Sequence, residues 1–121
     1  MPEEYGGHGV DKRFSVVVME EAARINATGL GWGLHSEIVA PYLLHYGSEF
    51  LKQKYLPKMA SGEMIGAIAM TEPAAGSDLQ GVRTTAVRDG DHYILNGSKI
   101  WTTHAQWATH MFALIRTDAS G

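Results

Sequence analysis

The chain has 121 residues, 45% of them hydrophobic and 19% charged, with a formal net charge of -3 and no Cys. That balance belongs to a folded protein, and the length fits one domain or pieces of two cut from something larger. Without Cys there are no disulfides, thiolate metal sites or Cys nucleophile. No Lys/Arg run exceeds the pair Lys12-Arg13, so the electrostatic footprint of a nucleic-acid binder is missing. The longest nearly apolar stretch, 38–44, is interrupted by Pro41 and is far too short to span a bilayer. The acidic opening Met1-Pro2-Glu3-Glu4 has neither signal-peptide nor transit-peptide character, and a cytoplasmic protein is expected.

After the Gly-rich stretch Gly6-Gly7-His8-Gly9, Asp11 is placed to cap a helix over 11–27. Its apolar positions Phe14, Val17, Val18, Ala22 and Ile25 follow helical spacing, with Glu20 and Arg24 as an i, i+4 pair on another face. Residues 28–33 form a flexible corner. A second helical element over 34–45 must start a new turn or kink at Pro41 and end at Gly47. Ser48 caps a short helix carrying Phe50, Leu51 and Tyr55, which Leu56-Pro57 closes.

From Ile65 onward the helical period disappears. Strands over 82–88, 92–95 and 98–103, joined at Asp89-Gly90 and Asn96-Gly97, read as an antiparallel meander, with a last strand over 111–116. Helices first and strands second make the expected class α+β, with one unit over 1–64 and another over 65–121. The strand set reaches Gly121 without a closing element, the pattern expected of a chain cut inside a larger protein.

Two stretches carry the chemistry. In Met70-Thr71-Glu72-Pro73-Ala74-Ala75-Gly76-Ser77-Asp78 an apolar run breaks into a turn of small and hydroxyl residues, where a ligand can approach the main chain and backbone N–H groups suit phosphate oxygens. A plain Pro-Gly connection is the competing reading of that segment alone. Lys99-Ile100-Trp101-Thr102-Thr103 supplies a large flat indole and two hydroxyls, which suit a planar heteroaromatic ring with a polar edge. One ligand, an aromatic ring system bearing a diphosphate, would satisfy both.

These stretches, with Pro2-Glu3-Glu4-Tyr5-Gly6-Gly7 and Leu95-Asn96-Gly97-Ser98 ahead of Lys99, resemble the acyl-CoA dehydrogenase family in order and approximate spacing, and the resemblance covers the whole chain. Leu34-His35-Ser36, His45-Tyr46-Gly47-Ser48-Glu49 and residues 65–70 look closest to the long-chain branch. The resemblance implies an all-α N-terminal portion running into an antiparallel, barrel- or sandwich-like middle β-domain. It also implies FAD, with Thr71 bonding the pyrimidine side of the flavin and Ser77 reaching the diphosphate. Trp101 would pack on the isoalloxazine and Thr103 would place its hydroxyl near N5. Ile68, Met70 and Gly76 would line the same pocket, and Ser77 would also meet substrate.

The implied reaction is α,β-dehydrogenation of a fatty acyl-CoA: a carboxylate takes an α-proton while hydride leaves the β-carbon for the flavin. In the family that base lies in a C-terminal helical domain. No catalytic residue is therefore assigned here, and Glu72 is read as structural. Electron-transfer flavoprotein is the implied electron acceptor and a homotetramer the implied assembly, in the mitochondrial matrix if the source is eukaryotic. An acyl-CoA oxidase and a non-catalytic acyl-CoA-binding scaffold of the same fold stand as alternatives. Ala74, Thr102 and His104 depart from the family's usual Gly, apolar residue and Asn.

Other readings are weaker. The six His lack metal-ligand spacing. Gly29-x-Gly31-x-Gly33 follows a helix rather than a strand, unlike a dinucleotide fingerprint. No Ser stands in a Gly-x-Ser-x-Gly elbow. Phe14, Val17, Val18 and Ile25 read as core, and Trp32 and Trp107 as packing or interface residues.

Overall fold

A computed structural model describes residues 1–118; the final residues of the expected 65–121 unit lie outside it. A single 3-10 turn, Glu3–Tyr5, precedes α1 (Lys12–Arg24). The Asp11 carboxylate accepts the Arg13 N–H at 2.9 Å, the expected cap. The helix stops three residues short of expectation, just before Asn26 turns left-handed at φ +55°. Arg24 pairs with Glu21 at 2.6 Å, one position closer than the expected Glu20.

The expected core stripe of α1 is not core. Phe14 is 59% exposed, Val17, Val18 and Ile25 are also exposed, and no residue of the helix is buried. Helical spacing reports that a face is apolar, not what covers it.

A continuous helical run follows: α2 (Trp32–Leu34), a π-helical stretch (His35–Val39) and α3 (Ala40–Tyr46). Pro41 has no N–H to return to the Glu37 carbonyl, and just before it the Ala40 N–H reaches back to His35 O, the wider π-type bond. Gly47 ends the run, but at φ -69° rather than in a left-handed cap. Glycine is needed because a Cβ there would lie 2.5 Å from the Leu43 carbonyl oxygen.

Ser48 caps α4 (Glu49–Ser61) through the Leu51 N–H. Pro57 does not close this helix: α4 runs through it to Gly62. The missing donor leaves only the exposed Gln53 carbonyl without its helical partner, while Leu56 and Met59 on either side are buried. The core joins Tyr5, Val39, Ala40, Leu56, Met59 and Met64, with Ile68 packed against it.

Strand β1 (Gly66–Ala69) pairs in parallel with β4 (His110–Ala113), Gly66 opposite His110. The middle portion, expected to be antiparallel, thus holds one parallel pair, since a long connection between two strands permits that register. Strands β2 (Thr85–Asp89) and β3 (His92–Asn96) form the expected hairpin, with Gly90 at φ +63°. Residues 98–103 form no strand. At Gly97, φ +154°, the chain passes so close to Thr84 that a Cβ would lie 2.6 Å from its Cα, and it leaves the hairpin there. The class is α+β with the helical portion first; among the described residues the strands form two pairs and no closed barrel.

Candidate functional site

Strand β1 delivers Met70 and Thr71 to a tight turn in which the Glu72 N–H donates to the Ala75 carbonyl at 2.9 Å and the Ala75 N–H returns to the Glu72 carbonyl at 3.1 Å. Pro73 sits at the second position, where its fixed φ favours such a turn. Glu72 is buried, at 6% exposure, beneath this turn. Its carboxylate accepts the Arg83 N–H at 2.7 Å, the Thr84 N–H at 2.9 Å and the Lys99 ammonium at 2.7 Å. The Lys99 ammonium above all, then Thr84 and Arg83, holds the Glu72 carboxyl well below the usual carboxylate range, at about 2.

Lys99 donates a second bond, 3.1 Å, to the Met70 carbonyl, and the next residue, Ile100, donates its N–H to the Thr71 carbonyl at 3.0 Å. The two segments singled out in the sequence thus meet backbone to backbone. Beyond Ile100 the indole of Trp101 stands 84% exposed on a left-handed backbone, φ +57°. Such a backbone persists in a residue with a Cβ only where its surroundings over-determine it.

Ile68 lies half-buried in β1 opposite Phe112, and Met70 and Thr71 are half-buried beside it. Gly76, Ser77, Trp101 and Thr103 are exposed. No atom lies within 4 Å of a Cβ built on Gly76, so the main chain there is open to a ligand. Among the described residues no hydrogen bond joins Ser77 to the 101–103 segment, and the hydroxyls of Thr71, Ser77 and Thr103 make no internal hydrogen bond. An exposed flat ring, uncommitted hydroxyls and an open glycine on a turn held rigid from beneath fit a planar, phosphorylated ligand. No group of His, Asp and Glu capable of holding a metal ion occurs among the described residues.

Two histidines have roles that residue spacing did not reveal. The His35 ring bridges α4 and β1: its Nδ1 accepts the Gly66 N–H at 3.0 Å and its Nε2–H donates to the Met59 carbonyl at 3.1 Å, which fixes the tautomer. The His104 ring lies over Gly31 and beside Trp107, at the wall of a cavity of about 580 Å³ that Trp32, His35 and Ile65 also line. The only sequence signal for that contact was a left-handed-capable Gly and a departure from the family's usual Asn, 73 positions apart in the numbering and unconnected by any period.

A family model described as the acyl-CoA dehydrogenase N-terminal domain matches residues 1–63, and one described as the middle domain matches residues 67–121. The chain belongs to the acyl-CoA dehydrogenase family. The mitochondrial long-chain specific acyl-CoA dehydrogenase of Sus scrofa is 50% identical over 113 residues, which cover 93% of this chain and 26% of the relative. The mitochondrial isovaleryl-CoA dehydrogenase of Bos taurus is 44% identical over 120 residues, 98% of this chain and 28% of the relative. The chain therefore spans about a quarter of the length of the curated relatives it matches. Among solved structures, an acyl-CoA dehydrogenase from Geobacillus kaustophilus superposes with a TM-score of 0.95 at 48% identity, covering all of this chain and 32% of that one. An acyl-CoA dehydrogenase from Bacillus anthracis complexed with FAD gives 0.90 at 40% identity, covering 98% of this chain and 21% of that one. Members of the family are FAD-dependent oxidoreductases that act on acyl-CoA thioesters.

Proposed function

We propose that this chain is the flavin-holding part of an enzyme that dehydrogenates fatty acyl-CoA thioesters between the α- and β-carbons, with division into a helical unit over 1–64 and a β-unit over 65–121. The observation that carries the reading is the Ile100 N–H bond to the Thr71 carbonyl, which joins the two candidate segments into one wall. FAD, when bound, supplies the two-electron sink that the side chains of a protein lack.

The residues present fit that group. Thr71 would offer its hydroxyl to the pyrimidine side and Ser77 its hydroxyl to the diphosphate, while Gly76 leaves the main chain open to close approach. Trp101 would pack its exposed indole on the ring system, Thr103 would offer its hydroxyl to the N5 edge, and Ile68 and Met70 would line the apolar side. Ser77 also meets the thioester end of the substrate.

Glu72 does not serve as the base. With three donors already on its carboxylate and its proton affinity depressed, it is a poor acceptor for an α-proton. The carboxylate base belongs to a part of the protein other than the described residues.

A chain 40% identical to this one, from a structure of the electron transferring flavoprotein of Acidaminococcus fermentans, supports that partner as acceptor, and a homotetramer is the proposed assembly. The mitochondrial relatives support the matrix as compartment in a eukaryote, and the cytoplasm is the proposal for any other source. Similar identity to long-chain and isovaleryl relatives supports acyl-CoA as a class, with the long-chain branch the narrower proposal.

The test is the visible spectrum of the full-length protein and its activity on saturated acyl-CoA thioesters of graded length. A yellow protein that forms enoyl-CoA is expected. A colourless protein that FAD does not reconstitute overturns the reading, peroxide release during turnover assigns an oxidase, and FAD binding without turnover assigns a scaffold.

A further inference from the structure

The geometry points to His104 as the positioning residue that sets Thr103 against the bound ring, by wedging the 101–104 segment onto the glycine corner of the helical portion. This rests on the flavin reading above and goes beyond it, because His104 touches neither ring nor substrate in that reading.

The segment carries two left-handed residues within four positions, Trp101 at φ +57° and His104 at φ +61°. Such a backbone is unfavourable for any residue with a Cβ and does not persist unless something holds it. At its first end the hold is plain: Ile100 N–H on Thr71 O and the Lys99 ammonium on Met70 O and Glu72. At its second end no ion pair occurs among the described residues. The His104 carbonyl accepts the Trp107 N–H at 3.0 Å and the Ala108 N–H at 3.1 Å, and the Ala105 N–H donates to Thr102 O at 3.2 Å, which folds the chain into a compact turn.

Those bonds shape the turn, and just past it the Thr109 N–H donates to the Ile65 carbonyl at 2.9 Å, which ties its exit to the start of β1. The His104 ring ties its other end to the helical portion. It fills the space that a side chain at residue 31 would take, and Gly31, left-handed at φ +64°, leaves that space free. On its other side the ring lies 5.2 Å from the Trp107 ring, centroid to centroid. His is among the residues that accept a left-handed backbone, so position 104 combines the required φ with a flat body that reaches the corner. Because Thr103 directly precedes it, a backbone rotation at 103–104 that lifts the ring from Gly31 turns the Thr103 hydroxyl as well.

His104→Asn isolates the ring, since Asn also accepts the left-handed backbone. In the full-length protein stripped of FAD, three readouts are taken: FAD titration by flavin fluorescence, the position of the flavin absorption bands after reconstitution, and the unfolding midpoint without FAD. Expected are an FAD dissociation constant raised about tenfold, the size of one lost hydrogen bond, shifted flavin bands, and an unfolding midpoint in the absence of FAD displaced by less than about 2 °C. Thr103→Val weakens FAD as well, and the double variant is no weaker than the worse single one, because both remove the same contact.

Unaltered FAD affinity in His104→Asn, additive penalties in the double variant, or an FAD-free midpoint that falls in step with affinity overturns the inference. Should His104→Asn fail to fold, Trp107→Leu, which removes the ring's neighbour and keeps His104, is read by the same titration. Wild-type protein that takes up no FAD overturns the flavin reading and this inference together. Wild-type protein that binds FAD beside an unchanged variant overturns this inference alone.

Discussion

Around Glu72, and at the Lys99 end of the 101–104 segment, the chain is held by charge, whereas at the His104 end it is held by shape. Glu72 collects three donors beneath a closed turn, among them an ammonium that is itself largely buried. Trp101 and His104 take left-handed backbones, and no ion pair occurs within 101–104 among the described residues. In both places the group offered to a ligand is uncommitted while a near neighbour is fixed: the Thr71 hydroxyl beside Glu72, the Trp101 indole two positions after Lys99. A surface that must accept a ligand cannot satisfy its own groups internally without losing them to the ligand, so rigidity is supplied from the adjacent position.

Breaking the charged side has the larger effect. Glu72→Ala strands the Lys99 ammonium and two N–H groups in a buried place, and the unfolding midpoint is expected to fall by at least about 10 °C, measured by calorimetry. Acid probes the same group. The Glu72 carboxyl sits at about 2 in the folded chain, below its unfolded value, so the unfolded state takes up the proton first. Its contribution is complete above about pH 5 and is lost as pH falls toward 2, a decline that urea melts across that range should show and that Glu72→Gln should flatten.

Within the 101–104 segment the sign reverses. Trp101→Gly removes a strained backbone and an exposed ring, so stability without FAD is expected to be unchanged or raised by up to about 1 kcal/mol. Flavin affinity is expected to fall in the same variant, and chemical melts beside FAD titration separate the two. The smallest stability effect is expected at Gly76→Ala. Nothing in the chain meets the new methyl, so unfolding should move by less than about 0.5 kcal/mol while FAD binding weakens.

Features set by a few neighbouring residues were legible in the sequence. The Asp11 and Ser48 caps and the turn at Gly90 follow from local hydrogen bonding and allowed φ, and the structure places all three where the residues put them. Features that depend on distant partners were not. Pro57 looked like a terminator because the burial of Leu56 and Met59 cannot be read from the helix itself. The parallel partner of β1 lies too far along the chain for any turn signal to announce it. The apolar stripe of α1 carried a correct period and a wrong inference of burial. At the candidate site, the small and hydroxyl residues at 71–77 and 101–103 were visible as chemistry, while the Lys99 pair and the seat of His104 on Gly31 required the fold.

The pairing of β1 with β4 also sets an order of events during folding. Ile65 and Thr109 meet across 44 residues, so the strand that presents Thr71 gains its neighbour only after a long loop closes. The local β2–β3 hairpin and the capped α4 have no such wait. The wall therefore assembles after the scaffold around it. Phi-value measurements should find high values in α4 and the hairpin and low values at Ala67 and Phe112.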